Sequence, residues 1–165
     1  FLAVPNKMKS LSVAILWLCS VAVFAAEPVV VNMAGQADAK HVGEDKWTLV
    51  MVWSTACHVC QKETPAISAY SERHADSRIR VLGVAINGYQ RKAAIEDFGK
   101  EFGMKFPTLI AEPAQFLAHY KAQTGQPLSG TPTFLLDDRA GKLSVVNPGP
   151  VDLSRLETFL DQQDG

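Results

Sequence analysis

The chain has 165 residues, a length that is typical of one folded domain and leaves little room for a second. Hydrophobic residues make up 47% and charged residues 20%, which excludes an intrinsically disordered chain. The formal net charge of −1 provides neither a basic surface nor an acidic tail, so no nucleic-acid partner is predicted.

Residues 1–26 have the composition of a secretory signal peptide. They contain Lys7 and Lys9 but no acidic residue, and an apolar run at 11–26 follows the two lysines. The run is shorter than the roughly 20 residues that span a bilayer. Cleavage is therefore favoured over a retained anchor, and membrane contact is expected only through this segment.

Two further expectations follow from this amino-terminal pattern. Met8-Lys9-Ser10 resembles a natural start, so residues 1–7 are expected to be an artefact of gene-start assignment. The remaining residues, 27–165, are predicted to form one domain outside the cytoplasm, in the periplasm or secreted.

The first half of this domain contains five predicted elements. They are an edge strand at 29–31, a buried strand at 47–53, a helix at 57–74, a second buried strand at 79–86 and a helix at 91–102. Both buried strands are continuous apolar runs, which is typical of strands covered on two faces. The helix at 57–74 has Ile67 and Tyr70 on its inner face, and Pro65 is expected to bend it.

The second half contains five more predicted elements. They are an extended piece at 106–110, a helix from Pro113 to about Gly125, strands at 133–137 and 142–146 joined by a hairpin turn, and a closing helix that begins near Asp152. The helix that begins at Pro113 is predicted to bury Phe116, Leu117 and Tyr120. This order predicts an α/β fold with a mixed central sheet and helices on both faces.

Cys57 and Cys60 stand where the first buried strand ends and a helix begins. Open α/β sheets have their active sites at this edge. The positive end of a helix stabilises a thiolate, and the pKa of a cysteine in such a pair falls from about 8.5 to between roughly 3.5 and 7.5. Cys57 is therefore the predicted nucleophile and Cys60, one turn later and more buried, the predicted resolving thiol.

Metal binding is the alternative interpretation of this pair. A structural zinc site normally needs four ligands, and the chain beyond residue 26 has no second cysteine pair. Its histidines are scattered along the sequence: His41, His58, His74 and His119. No metal site is predicted, but a copper-carrying protein that uses Cys57 and Cys60, with His58 or a distant histidine, stays open.

The run Trp53-Ser-Thr-Ala-Cys57-His-Val-Cys60-Gln-Lys-Glu63-Thr-Pro65 and the later Gly130-Thr131-Pro132-Thr-Phe-Leu135 resemble the thioredoxin superfamily. More narrowly, they resemble its TlpA/ResA-like secreted thiol–disulfide oxidoreductases. The resemblance implies a thioredoxin-like three-layer sandwich and no cofactor. It also implies that Pro132 follows a cis peptide bond and that the backbone of Thr131 pairs with the client protein beside its disulfide.

Three positions depart from the family pattern. Ala56 replaces a tryptophan beside the first cysteine, Met51 replaces the buried aspartate of cytoplasmic thioredoxins, and Tyr89 lies where some secreted reductases have a glutamate. Proton transfer for Cys60 is therefore open to Glu63, His58, Tyr89 or water. Tyr89 is interpreted as loop packing and Glu63 as either a proton carrier or a solvated charge.

Two neighbours of the pair are interpreted as supporting residues. The imidazolium of His58, if it acts on Cys57, would stabilise the thiolate and make the disulfide more oxidising. Trp53 is interpreted as active-site wall and core. The resemblance implies an enzyme that exchanges disulfides with client proteins, more as a reductase than as an oxidase. A role in cytochrome c maturation and a membrane thiol electron donor are expected with it.

Overall fold

The computed structural model describes residues 30–36 and 44–164. The predicted signal peptide at 1–26, Val29 of the predicted edge strand and His41 lie outside the described residues. Among the residues that are described, no helix combines the length and the apolar composition that crossing a membrane requires.

The described residues form six strands and four helices. The strands are β1 (Val30–Val31), β2 (Trp47–Trp53), β3 (Ile79–Ala85), β4 (Thr108–Ala111), β5 (Thr133–Asp137) and β6 (Leu143–Pro148). The helices are α1 (His58–Arg73), α2 (Lys92–Glu101), α3 (Pro113–Thr124) and α4 (Leu153–Asp164), with a short 3-10 turn at Tyr89–Arg91 before α2. Every predicted element is found, with small shifts at its ends.

All six strands belong to one mixed sheet in the order β1-β4-β3-β2-β5-β6. Strands β2, β3 and β4 run parallel, whereas β1, β5 and β6 pair antiparallel with their neighbours. Because parallel strands end at the same edge of a sheet, β2, β3 and β4 bring their carboxyl ends together. Cys57 follows β2 at this edge.

The side chains of β2 alternate between two hydrophobic cores. Met51 and Trp53 face the core that includes side chains of α1, α2 and α4, whereas Val50 and Val52 face the core that includes α3. All seven residues of β2 are buried, as its continuous apolar sequence predicts. The predicted mixed sheet with helices on both faces is confirmed.

The predicted apolar stripe of α3 is wrong at one residue. Phe116 and Tyr120 are buried, because residues four positions apart lie on one face of a helix. Leu117 is 42% exposed, because one further residue rotates the side chain about 100° away from that face. The apolar character of Leu117 predicts burial, but its position on the helix turns the side chain toward solvent.

The far end of α1 is fixed to α4 by a polar cluster. The buried hydroxyl of Tyr70 donates a hydrogen bond to Glu157, and burial together with this bond raises the pKa of Tyr70 well above its usual range. Arg78 Nη2 lies 3.3 Å from Glu157 Oε2 and 2.5 Å from Asp161 Oδ1. These contacts hold the helix that begins at the cysteine pair in one orientation against the sheet.

Asp137 ends β5 on the opposite edge of the sheet from the cysteines. Burial, and to a smaller extent the charge of Asp138, raises the pKa of Asp137 to about 6. An aspartate in an unfolded chain has a pKa of about 3.9. The folded protein therefore favours the protonated form of Asp137. The stability that this protonation contributes is complete below about pH 4 and is lost as the pH rises through about 6.

This titration predicts a pH-dependent gain in the Asp137→Asn variant. At pH 7.5 the free energy of unfolding is expected to rise by about 1–2 kcal/mol, less than the full shift implies because the side chain partly reaches solvent. At pH 4 no gain is expected, since the carboxyl group is then largely neutral in the folded protein. Urea denaturation at both pH values measures this, with the exposed Asp76→Asn as control. Equal gains at both pH values would contradict the assignment.

Candidate active site

Cys57 and Cys60 form a disulfide at the start of α1, with their Cα atoms 5.2 Å apart. Cys57 is the N-cap residue of the helix, and its Sγ accepts a hydrogen bond from the backbone N–H of Cys60 at 3.0 Å. Cys57 is 9% exposed, whereas Cys60 is fully buried. An external thiol or disulfide can therefore reach Cys57 and not Cys60.

The electrostatic surroundings of Cys57 favour a negative charge on its sulfur. Backbone N–H groups at the start of a helix have no partner within the helix, and they carry its positive dipole end. The first turn of α1 contains no acidic residue that would oppose a thiolate. The sequence-based prediction that Cys57 opens a helix is confirmed by this geometry.

The loop that leads into β5, the strand paired antiparallel with β2, completes the site. The peptide bond between Thr131 and Pro132 is cis, as the resemblance implies. The carbonyl oxygen of Thr131 lies 3.2 Å from Cys57 Sγ, although 74 residues separate the two in sequence. Two hydrogen bonds hold this loop: Gly149 N–H to the Pro132 carbonyl at 2.9 Å, and Thr133 Oγ1 to the Gly130 carbonyl at 2.8 Å.

Sequence reasoning missed one residue that contacts the active-site turn (residues 54–57). Asn87 Oδ1 accepts a hydrogen bond from Thr55 N–H at 3.1 Å, and Asn87 Nδ2 donates one to Thr55 Oγ1 at 3.0 Å. The sequence places Asn87 directly after the second predicted buried strand and predicts no role for it. Its position directly after the strand that neighbours β2 is the signal that could have found it, because the carboxyl ends of parallel strands meet.

The two polar side chains predicted beside the cysteines have other partners. His58 is exposed, and its Nδ1 lies 3.2 Å from Gln61 Oε1. Glu63 is half-buried, and its Oε2 accepts a hydrogen bond from the backbone N–H of Val151 at 3.4 Å. Glu63 thereby connects α1 with the segment that leads into α4.

Trp53 and Met51 lie in the core beneath the cysteines, and both are fully buried. The ring of Trp53 packs on Phe98 with 4.4 Å between the ring centroids. Met51 places an apolar side chain where cytoplasmic thioredoxins have an aspartate. The region below the disulfide is therefore apolar at both positions.

Tyr89 and Ala56 lie at the rim of this edge. The backbone N–H of Tyr89 donates to Glu112 Oε1 at 2.9 Å, and its ring packs against the core and close to Gly35. These contacts are those of a packed loop residue, as predicted. Ala56 is exposed directly before Cys57, and this residue places only a methyl group beside the disulfide.

Potential metal ligands are spread out in the described part of the chain. No group of three or more histidine, cysteine, aspartate or glutamate side chains within residues 30–36 and 44–164 is arranged to hold a metal ion. His74 and His119 lie in other parts of the fold from the cysteines, at the end of α1 and within α3.

Comparison with known proteins finds a matching family and relatives that are thiol-disulfide oxidoreductases. A sequence model of the AhpC/TSA family matches residues 24–146. Sporulation thiol-disulfide oxidoreductase A of Bacillus subtilis is 22% identical over 116 residues, which cover 70% of this chain and 67% of that protein. Thiol-disulfide oxidoreductase ResA of Bacillus cereus is 24% identical over 134 residues, 81% of this chain and 73% of that protein.

Solved structures share the fold. A thiol:disulfide interchange protein from Chlorobium tepidum superposes with a TM-score of 0.67 at 20% identity, covering 86% of this chain and 99% of that one. StoA from Bacillus subtilis gives a TM-score of 0.62 at 21% identity, with coverage of 82% and 99%. The chain therefore belongs to the AhpC/TSA family, and the characterised proteins that it resembles include thiol–disulfide oxidoreductases.

Proposed function

We propose that this protein reduces disulfides of client proteins outside the cytoplasm, with Cys57 as the attacking thiol and Cys60 as the resolving thiol. The observation that carries the proposal is the difference in access between the two sulfurs. Cys57 reaches the surface at a helix N-terminus, and Cys60 is fully buried behind it.

The reaction has two exchange steps. The thiolate of Cys57 attacks one sulfur of the client disulfide, which forms a mixed disulfide and releases the other client sulfur as a thiolate. The thiolate of Cys60 then attacks Cys57 Sγ, which restores the internal disulfide and releases the second client sulfur. The client gains two electrons, and the released thiolates take protons from solvent or a nearby group.

Thr131 is the proposed docking residue for the client backbone. Its carbonyl oxygen lies 3.2 Å from Cys57 Sγ, so an extended client segment that pairs with Thr131 would place its disulfide beside the attacking sulfur. Pro132, the residue after Thr131, has no backbone N–H. It therefore cannot compete with Thr131 for hydrogen bonds to the client backbone.

The cellular setting belongs to the same proposal. The basic and apolar character of residues 1–26 supports export, with the domain acting in the periplasm or as a secreted protein. The internal disulfide formed in each turnover needs an external dithiol to reduce it, and a membrane thiol donor fits this need. Clients of a cytochrome c maturation pathway fit a reductase in this compartment.

The reduction potential of the Cys57–Cys60 pair tests the direction. We expect a reduction potential closer to the value of thioredoxin, about −270 mV, than to that of a strong oxidant, about −120 mV. We also expect the protein to reduce insulin disulfides in the presence of dithiothreitol. The double variant Cys57→Ala, Cys60→Ala is the control for both measurements. A potential near −120 mV would reverse the proposed direction and leave the exchange chemistry intact.

A Cu(I) titration of the same protein sample tests the copper-carrier alternative. The reduced protein is titrated with Cu(I) in competition with a chromophoric chelator, in parallel with the insulin assay. Insulin reduction that depends on both cysteines supports the oxidoreductase. Stoichiometric copper binding without insulin reduction would support the metal carrier and overturn our proposal.

A further inference from the structure

We propose that Asn87 is a positioning residue for the redox pair, and that its two hydrogen bonds to Thr55 stabilise the disulfide form of the enzyme more than the reduced form. This inference rests on the proposed function, because it concerns the reactivity of Cys57 in exchange. Asn87 lies on the loop after β3 and makes its side-chain hydrogen bonds to Thr55, so it acts through the active-site turn.

The backbone around Asn87 is held on both sides. Ile86 N–H donates to the Trp53 carbonyl at 3.0 Å, and Gly88 N–H donates to the Ala111 carbonyl at 3.0 Å. The first bond ties the loop to the end of β2, and the second ties it to the end of β4. Asn87 is therefore presented from a base that three parallel strands hold in place.

The backbone conformation at Gly88 requires a glycine and keeps this loop close to α3. Its φ of +79° lies in the left-handed region, and a Cβ at this position would lie 3.0 Å from Glu112 Oε2. Because Glu112 Oε1 also accepts the N–H of the next residue, Tyr89, the loop closes tightly against the start of α3. Little freedom is left for the backbone that carries Asn87.

Both ends of the Asn87 side-chain amide are used on one partner. Its oxygen accepts from Thr55 N–H at 3.1 Å and its nitrogen donates to Thr55 Oγ1 at 3.0 Å. Only an amide side chain offers one acceptor and two donors in this arrangement. Asn87 and Thr55 are both half-buried, so water competes poorly for the two bonds.

Thr55 passes this restraint to Cys57. The two residues belong to one tight turn, which the Cys57 N–H closes by donating to the Ser54 carbonyl at 3.0 Å. The turn orients Cys57 Sγ between the Cys60 N–H at 3.0 Å and the Thr131 carbonyl at 3.2 Å. A turn that moves would take the sulfur away from the N–H that stabilises its charge.

The restraint matters most when the disulfide is closed. The internal disulfide needs the turn conformation that holds Cys57 Sγ beside Cys60, so the oxidised protein loses the full free energy of the Asn87 contacts when they are removed. The reduced protein has no bond to Cys60, so its turn can relax and recover part of that loss. Removing the contacts is therefore expected to cost the oxidised form more than the reduced form.

The test compares Asn87→Ala and Thr55→Val with the conservative Thr55→Ser. The equilibrium constant against glutathione is expected to shift toward the dithiol by about three- to tenfold in Asn87→Ala, the size of one or two net hydrogen bonds. A tenfold shift corresponds to about 30 mV. Thr55→Val loses only the hydroxyl contact and keeps a β-branched shape, so a smaller shift in the same direction is expected. Thr55→Ser keeps both contacts and is expected to stay within about twofold of the wild type.

Alkylation of reduced Cys57 at pH 7 is the second measurement. We expect iodoacetamide to react about three- to tenfold more slowly with Asn87→Ala, because less of its thiol is ionised. Equal loss of unfolding free energy in the oxidised and reduced forms, with an unchanged glutathione constant, would show a merely structural role and overturn the inference. If Asn87→Ala does not fold, an unchanged constant in Thr55→Val overturns it equally.

The glutathione equilibrium is independent of client recognition. Wild-type protein that fails to reduce insulin would contradict the proposed function, while the glutathione constants of the variants would still decide the role of Asn87. Conversely, active wild type with unshifted variants would leave the proposed function intact and remove Asn87 from it.

Discussion

Replacement of Cys60 by alanine is expected to stop exchange after its first step. Cys57 can still attack a client disulfide, but no buried thiol is present to displace the client, so mixed disulfides accumulate. Turnover in the insulin assay is expected to fall on the order of 10³-fold or more, since the two cysteines act as one catalytic unit. Non-reducing gels of the variant, expressed with its amino-terminal segment and quenched with acid, should show adducts that dithiothreitol removes.

Cys57→Ala is the matched control for this experiment. It removes the accessible sulfur and keeps Cys60, which is fully buried, so neither turnover nor adducts are expected. Adducts in Cys57→Ala and none in Cys60→Ala would reverse the two roles. Absence of adducts in both variants, with wild-type insulin reduction intact, would show that the chemistry does not pass through a mixed disulfide at this pair.

Gly83→Ala is expected to be the most destabilising single-methyl change in the sheet. A Cβ on this residue of β3 would lie 2.5 Å from Thr108 Oγ1, 3.0 Å from Trp53 Nε1 and 3.1 Å from Phe106 Cε2. Two of these neighbours belong to packed rings that cannot move independently. We expect the free energy of unfolding to fall by about 2–3 kcal/mol, measured by urea denaturation of the oxidised protein.

Gly99→Ala provides the opposite expectation within the same protein. Gly99 lies in α2, and the nearest atom to an added Cβ is Met104 Cβ at 3.8 Å, an ordinary contact. Alanine is preferred over glycine inside a helix, so a gain of about 0.5–1 kcal/mol is expected. If Gly83→Ala is as well tolerated as Gly99→Ala, Trp53 and Thr108 are less constrained than their packing indicates.

Much of the fold could be predicted because it depends on patterns of residues that are close in sequence. The continuous apolar run of β2 predicts a strand buried on two faces, and the structure buries all seven of its residues. The cysteine pair directly after that run predicts a helix N-terminus at the sheet edge, where Cys57 is indeed the N-cap. Both features depend on neighbouring residues alone, so one sequence suffices to find them.

The remaining features depend on contacts between distant parts of the chain. The hydrogen bond from Val151 to Glu63 spans 88 residues, and the pair of bonds between Thr55 and Asn87 spans 32. Periodicity carries no information about such pairs. The close packing at Gly83 is hidden for the same reason, because it depends on how β3 and β4 align. The approach of Thr131 to Cys57 was found only through resemblance to a family.

The central position of β2 has a mechanical consequence for the enzyme. Hydrogen bonds to β3 on one side and β5 on the other make this strand a stiff base. The rim that carries Cys57 is attached to that base by a few turn and side-chain bonds, which open at a small fraction of the cost of global unfolding. A substitution that removes one of these bonds therefore disturbs the position of the sulfur, while the sheet beneath it keeps its shape.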